Sequence, residues 1–270
     1  MLIAQISDLH ITVQDKKAYG VASTANNLAR CVKHINKCVP RPDLVIVTGD
    51  ITYSGLLEEA RCAEEILVKL QYPYYVVPGN HDNRSTLWSV FHKHSCPCED
   101  KDFINYVIEG HDIRLVGMDS SVPDGPGGNI DETGFNWLEQ QLSADSSKPT
   151  ILFMHHPPAK FRVLETDEDG FVGANRLAEV IAGYSNITAV LCGHIHLVAH
   201  TGWSGTVIST APSMGLDLVL DLSLERASEF TLTSPAYQLH YFTADRNLIT
   251  HTVFVQDTAA VSYLFKEHLE

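Results

Sequence analysis

The sequence predicts an α/β protein on a largely parallel or mixed sheet, and three observations carry that prediction. Short runs rich in β-branched and aromatic residues recur along the chain, stretches with helical patterning lie between them, and a polar turn follows almost every run. Leu2 to Ile6 is the first such run. Ser23 is placed to cap a helix reaching about Lys37, which Pro40 and Pro42 end. Leu44 to Val47 is apolar throughout, as a strand buried on both faces requires. A helix is expected over 56–70, followed by strands at Tyr74 to Val77, Ile113 to Met118, Ile151 to Met154 and Ala189 to Cys192. Ser121 to Asn129 carries Pro123, Gly125, Pro126, Gly127 and Gly128 and reads as an exposed loop, as does Glu165 to Gly170. A final hairpin is expected from Tyr237 to Phe242 and Ile249 to Val255. Residues 214–234 precede it as an insertion suited to capping a pocket or meeting another subunit, within a single domain spanning 1–270.

Composition narrows the function. With 44% hydrophobic and 19% charged residues among 270, the chain can bury a large core. Its 33 acidic against 19 basic side chains give a formal charge of -14, which opposes a polymeric nucleic-acid substrate and an anionic membrane surface. No stretch approaches ~20 consecutive apolar residues, so a cytoplasmic protein is expected. The six cysteines are too scattered for a disulfide framework, and Cys96-Pro97-Cys98 is too closely spaced, and too isolated, for a zinc ribbon.

The chemistry lies at the strand ends. Asp8-Leu9-His10 follows the first strand, Gly49-Asp50 the second and Gly79-Asn80-His81-Asp82 the third. His155-His156-Pro157-Pro158 and Gly193-His194-Ile195-His196 follow two later ones. In an open α/β sheet those carboxyl ends share one edge, so the five loops should converge. Carboxylates and imidazoles with one amide and no thiolate suit Mn, Fe, Zn or Co better than Ca. Asp8, His10 and His196 can serve one ion, and Asn80, His155 and His194 a second, with Asp50 giving an oxygen to each. Two divalent ions roughly 3.5–4 Å apart would make a bridging water nucleophilic at neutral pH. Any one of these residues alone is an ordinary turn or core residue; only the set at five strand ends carries weight.

These motifs, together with the runs Ile6-Ser7-Asp8-Leu9-His10 and Met154-His155-His156-Pro157-Pro158, resemble those of the calcineurin-like metallophosphoesterase superfamily. Within it the chain is most similar to the bacterial cyclic-nucleotide phosphodiesterases and glycerophosphodiesterases. The resemblance implies a four-layer α/β/β/α sandwich with two mixed sheets and a dinuclear site at the strand carboxyl ends. It implies His155 rather than His156 as the ligand, because the family's histidine stands two places before the proline. It also implies an outer-sphere catalytic role for His81, oriented by Asp82, and a pocket contact for Tyr19. Arg84, just beyond, is a further candidate for an anionic substrate. Gly49-Asp50-Ile51-Thr52 and Gly79-Asn80-His81-Asp82 depart from the protein Ser/Thr phosphatase pattern. The expected activity is hydrolysis of a small phosphodiester, with a phosphomonoesterase or phosphonate ester hydrolase as the alternative. A non-catalytic scaffold would have lost a ligand, and none is lost. A homo-oligomer is expected.

Overall fold

The computed structural model describes residues 1–123 and 125–256. Three parallel strands, β1 (Leu2–Ile6), β2 (Leu44–Thr48) and β3 (Tyr74–Val77), form the first sheet with an antiparallel hairpin, β14 (Ala236–Phe242) and β15 (Leu248–Phe254), added beyond β1. The second sheet runs β10 (Ala199–Trp203), β11 (Thr206–Thr210), β9 (Ile187–Cys192), β7 (Thr150–Phe153), β5 (Arg114–Gly117), β4 (Tyr106–Ile108). Its four central strands are parallel and its two edge strands antiparallel, so both sheets are mixed.

The period of two along each strand sorts the layers. Ile151 and Phe153 of β7 join the core of the first sheet, whose Leu44 and Ile46 share a face with Thr48, whereas Leu152 joins the core of Leu138 and Leu177 on the opposite face. Those last residues belong to α4 (Glu132–Ala144) and α6 (Ala174–Ala182). The first sheet is covered by α1 (Thr24–Ile35), α2 (Leu57–Leu67) and α3 (Arg84–Phe91), through Leu28, Ala63 and Leu87 among others. The result is helices, sheet, sheet, helices.

A buried polar seam crosses between the sheets. Gln5 Nε2 donates to the Cys192 carbonyl at 2.9 Å and to Thr48 Oγ1 at 2.9 Å, and Gln238 Nε2 donates to the Thr210 carbonyl at 3.1 Å. Because unpaired amides would be costly here, the seam fixes how the ends of β1 and β2 face the end of β9. Gly193 then donates its N–H to the His155 carbonyl, and Asp8 its N–H to the Gly49 carbonyl.

Three local expectations are corrected. Ser23 stands at the α1 N-cap but its side chain makes no capping bond; the neighbouring Thr24 hydroxyl donates to the His10 carbonyl instead. Glu165 to Gly170 is mostly helix, α5 (Leu164–Asp169), because the Asp167 carboxylate turns back to accept the N–H groups of Phe161 and Arg162. The loop expected to be exposed from Ser121 to Asn129 has Ser121 and Gly128 buried, and its end, β6 (Gly128–Asn129), pairs in parallel with β8 (Phe171–Val172). In the segment after residue 214, β12 (Leu216–Leu218) and β13 (Phe230–Leu232) make a two-stranded antiparallel ribbon.

Candidate metal centre

Seven side chains from five strand ends meet in one cluster, buried except for the half-buried Asn80 and His194. Ligand atoms of Asp8, His10, Asp50 and His196 all lie within 4.8 Å of one another. On the far side of Asp50, Asn80 Oδ1 stands 3.1 Å from His155 Nε2 and 3.1 Å from His194 Nδ1. Asp50 spans the two lobes, with Oδ2 3.6 Å from His10 Nε2 and Oδ1 3.4 Å from His155 Nε2.

The backbone bends sharply to achieve this. Asp8 (φ 52), His10 (φ 42), Asp50 (φ 49), His194 (φ 74) and His196 (φ 51) all occupy the left-handed region. That conformation costs a non-glycine residue about 1–2 kcal/mol, and its concentration at a site is a mark of function. Two glycines permit the close approach of the loops. A Cβ on Gly79 would collide with Asp50, and one on Gly193 with Ser7 and Asp8.

The converging atoms are chiefly acceptors. His155 Nδ1 donates to the Thr48 carbonyl at 2.7 Å and His196 Nδ1 to the Leu216 carbonyl at 2.6 Å, which leaves both Nε2 lone pairs turned toward carboxylates. His196 Nε2 lies 3.4 Å from Asp8 Oδ1 and 3.0 Å from His10 Nε2. A cation is what such a set calls for. Burial opposes a charge on His155, yet the neighbouring Asp50 carboxylate overcomes it and lifts the pKa to about 9. Burial, helped by the neighbouring imidazoles, outweighs the carboxylates at His10 and His194 and pushes both down to about 3, so both offer lone pairs near neutrality. Oxygen and imidazole donors in two lobes around one shared carboxylate fit a pair of divalent transition-metal ions.

Geometry separates His155 from its neighbour. His156 also lies within ligating range of His155 and His194, but both its ring nitrogens are engaged, Nδ1 by the Ser120 hydroxyl at 2.9 Å and Nε2 by the Pro126 carbonyl at 3.1 Å. We therefore expect His155→Ala to lose metal and His156→Ala to retain it, as metal analysis of the two purified variants will show.

His81 stands over the opening between the lobes. Its N–H donates to Asp50 Oδ1 at 2.9 Å and its Nδ1 to the Tyr53 carbonyl at 2.8 Å, which leaves Nε2 for a substrate. Asp82 does not orient this ring, contrary to the sequence expectation. Its carboxylate accepts the N–H groups of Gly79, Ile51 and Thr52, and the Thr52 hydroxyl, and so clamps together the loops that carry Asp50 and Asn80. Tyr19 lines the opening and stacks on Phe230 of β13 with ring centroids 5.2 Å apart, while Phe230 also lies 5.6 Å from the His196 ring. Arg84 lies beyond His81, paired with Asp119 and donating to the Ser121 carbonyl at 2.6 Å. Sequence reasoning did not single out Phe230, Asp119 or the carbonyls of Thr48, Tyr53 and Leu216. A main-chain carbonyl has no signature in a sequence, and Phe230 reaches the site only through the ribbon.

Two packed mixed sheets with a two-lobed ligand cluster at their strand ends define the fold and centre of a dinuclear metallohydrolase. The chain belongs to the calcineurin-like phosphoesterase family, whose profile matches residues 1–198. It is similar to the probable glycerophosphodiester phosphodiesterase GpdQ of Arcobacter nitrofigilis, 38% identical over 256 residues, covering 94% of this chain and 93% of that protein. It is also similar to the cyclic adenosine monophosphate phosphodiesterase CpdA of Escherichia coli K12, 26% identical over 269 residues, covering 97% and 94%. Among solved structures, a dimetal phosphatase from Danio rerio superposes with a TM-score of 0.67 over 95% of this chain and 99% of that one; at 14% identity this is a likeness of fold.

Proposed function

We propose that this protein is a metal-dependent phosphodiesterase acting on a small diester, in the first place a glycerophosphodiester. The observation that carries the reading is that two clefts of different character meet at Asn80 and His81. One, about 430 Å³, is lined by polar groups; the other, about 270 Å³, is walled by Tyr19, Leu218 and Phe230. A phosphate with two organic arms has a place for each, whereas a monoester leaves one cleft idle. A second reading, a cyclic nucleotide, is favoured by the Tyr19 and Phe230 stack, which suits a base.

Metal ions, taken here as Mn, Fe, Zn or Co, would be held by Asp8, His10 and His196 on one side and Asn80, His155 and His194 on the other, with Asp50 shared. When bound, they supply Lewis acidity toward the phosphoryl oxygens and toward water at neutral pH. The protein's own groups do the rest. Thr48 and Leu216 hold the imidazoles of His155 and His196 in the ligating tautomer. His81 Nε2 steadies charge on the phosphoryl group or gives a proton to the departing oxygen. Tyr19 and Phe230 keep water from one side.

The test compares an aryl phosphodiester with the matching monoester, cyclic AMP and glycerophosphoethanolamine on purified, metal-reconstituted protein. Turnover of the diesters is expected, and activity confined to the monoester would overturn the reading in favour of a phosphomonoesterase.

The ribbon of β12 and β13 acts in this reading as a cap. Leu220 (62% exposed), Leu222 (52%) and Leu232 (56%) leave apolar surface around it, which supports a homo-oligomer. Sedimentation is expected to show a species larger than the monomer at micromolar concentration. No described helix is long and apolar enough to cross a membrane. The cytoplasm suits the six free cysteines, and the net charge of -14 argues against nucleic-acid polymers as substrates.

A further inference from the structure

The polar cleft, which shares Asn80 and His81 with the aromatic one, has a chemistry of its own. We infer that it receives the hydroxyl-rich arm of the diester and that Asp102 and Arg84 select it, an inference that rests on the diesterase reading. Arg84 is held rigidly: Nε and Nη2 are taken by Asp119, and Nη2 also donates to the Ser121 carbonyl. Its Nη1 has no protein partner among the described residues, and the residue lines the cleft with its side chain 27% exposed. Asp102 lines the same cleft, and among the described residues no hydrogen bond reaches its carboxylate. Asn83, whose oxygen caps α3, has no partner for its amide NH₂ among the described residues.

Donors and a carboxylate acceptor lining one cleft match hydroxyl groups, which both give and accept hydrogen bonds. A second phosphate or carboxylate on that arm is disfavoured, because the single guanidinium is outweighed by the carboxylates of Asp82, Asp102 and Asp119 around it. An alkyl arm would leave the charged groups unrewarded. The aromatic cleft lacks this pairing of a guanidinium with a carboxylate, so the two arms are told apart by chemistry as well as by shape.

The test uses two esters with one reporter, para-nitrophenyl glyceryl phosphate and para-nitrophenyl propyl phosphate, which differ only in hydroxyls. Wild type is expected to favour the glyceryl ester in kcat/KM. Asp102→Ala, at an exposed position, should reduce that preference about tenfold, the scale of one hydrogen bond to a charged group, and Asp102→Asn should restore part of it. An unchanged ratio overturns the inference, and so does an equal loss on both esters. Wild type cleaving neither ester overturns the diesterase reading itself, and this inference with it.

Discussion

Asp50→Ala is expected to strip the protein of both metal ions and of turnover, while Asp8→Ala empties one lobe first. The reason is position. Asp50 alone directs one oxygen to each half of the cluster, toward His10 on one side and His155 on the other. Its charge, set against burial, also draws a positive charge onto His155, so its removal takes away the negative centre around which the donors are arranged. Loss of activity should go well beyond the roughly 10–100-fold that follows removal of a group acting behind a ligand. Elemental analysis and turnover on one reconstituted preparation provide the check. An Asp50→Ala protein that still holds two ions per chain would remove the shared-ligand assignment.

His81→Ala should behave in the opposite manner, keeping its metal and losing kcat by roughly 10²–10⁴-fold, the usual span for a positioned general acid. Its ring donates to the Tyr53 carbonyl rather than to any of the seven side chains of the cluster, and meets His10 edge-on with ring centroids 4.7 Å apart. Esters with poor alkoxide leaving groups should suffer more than nitrophenyl esters, because only the former need a proton as the bond breaks. An equal loss across leaving groups would make His81 a stabiliser of phosphoryl charge. A loss of metal would make the ring structural, since the main-chain N–H that donates to Asp50 Oδ1 is kept in the variant.

Much of the site is legible in the sequence because each ligand follows a strand whose apolar run is itself plain. Asp8, Asp50, Asn80 and His194 stand at the first turn after such runs, and the parallel order of β1, β2, β3, β7 and β9 brings those turns to one edge. Where residue type alone was the guide, it misled. Asp82 adjoins His81 and by position is its expected partner, yet the turn carries the carboxylate away to the N–H groups of Gly79, Ile51 and Thr52. The six residues of α5, Leu-Glu-Thr-Asp-Glu-Asp, have no apolar period to announce a helix. Their helix depends on Asp167 caught by the preceding turn and on Glu165 accepting the N–H of Ser228.

From its residues alone, the chain declares which donors it owns, the order in which strands deliver them and, through its motifs, the family to which it belongs. Folding in three dimensions decides how they pair: Asp50 between two lobes, a His156 ring engaged on both nitrogens beside His155, Tyr53 rather than Asp82 behind His81, and a polar cleft that meets an aromatic one at Asn80 and His81. The division has a physical origin. A donor's chemistry resides in its own side chain, whereas its tautomer, direction and free lone pair are set by carbonyls and hydroxyls that arrive from distant strands and look alike at every position of the sequence.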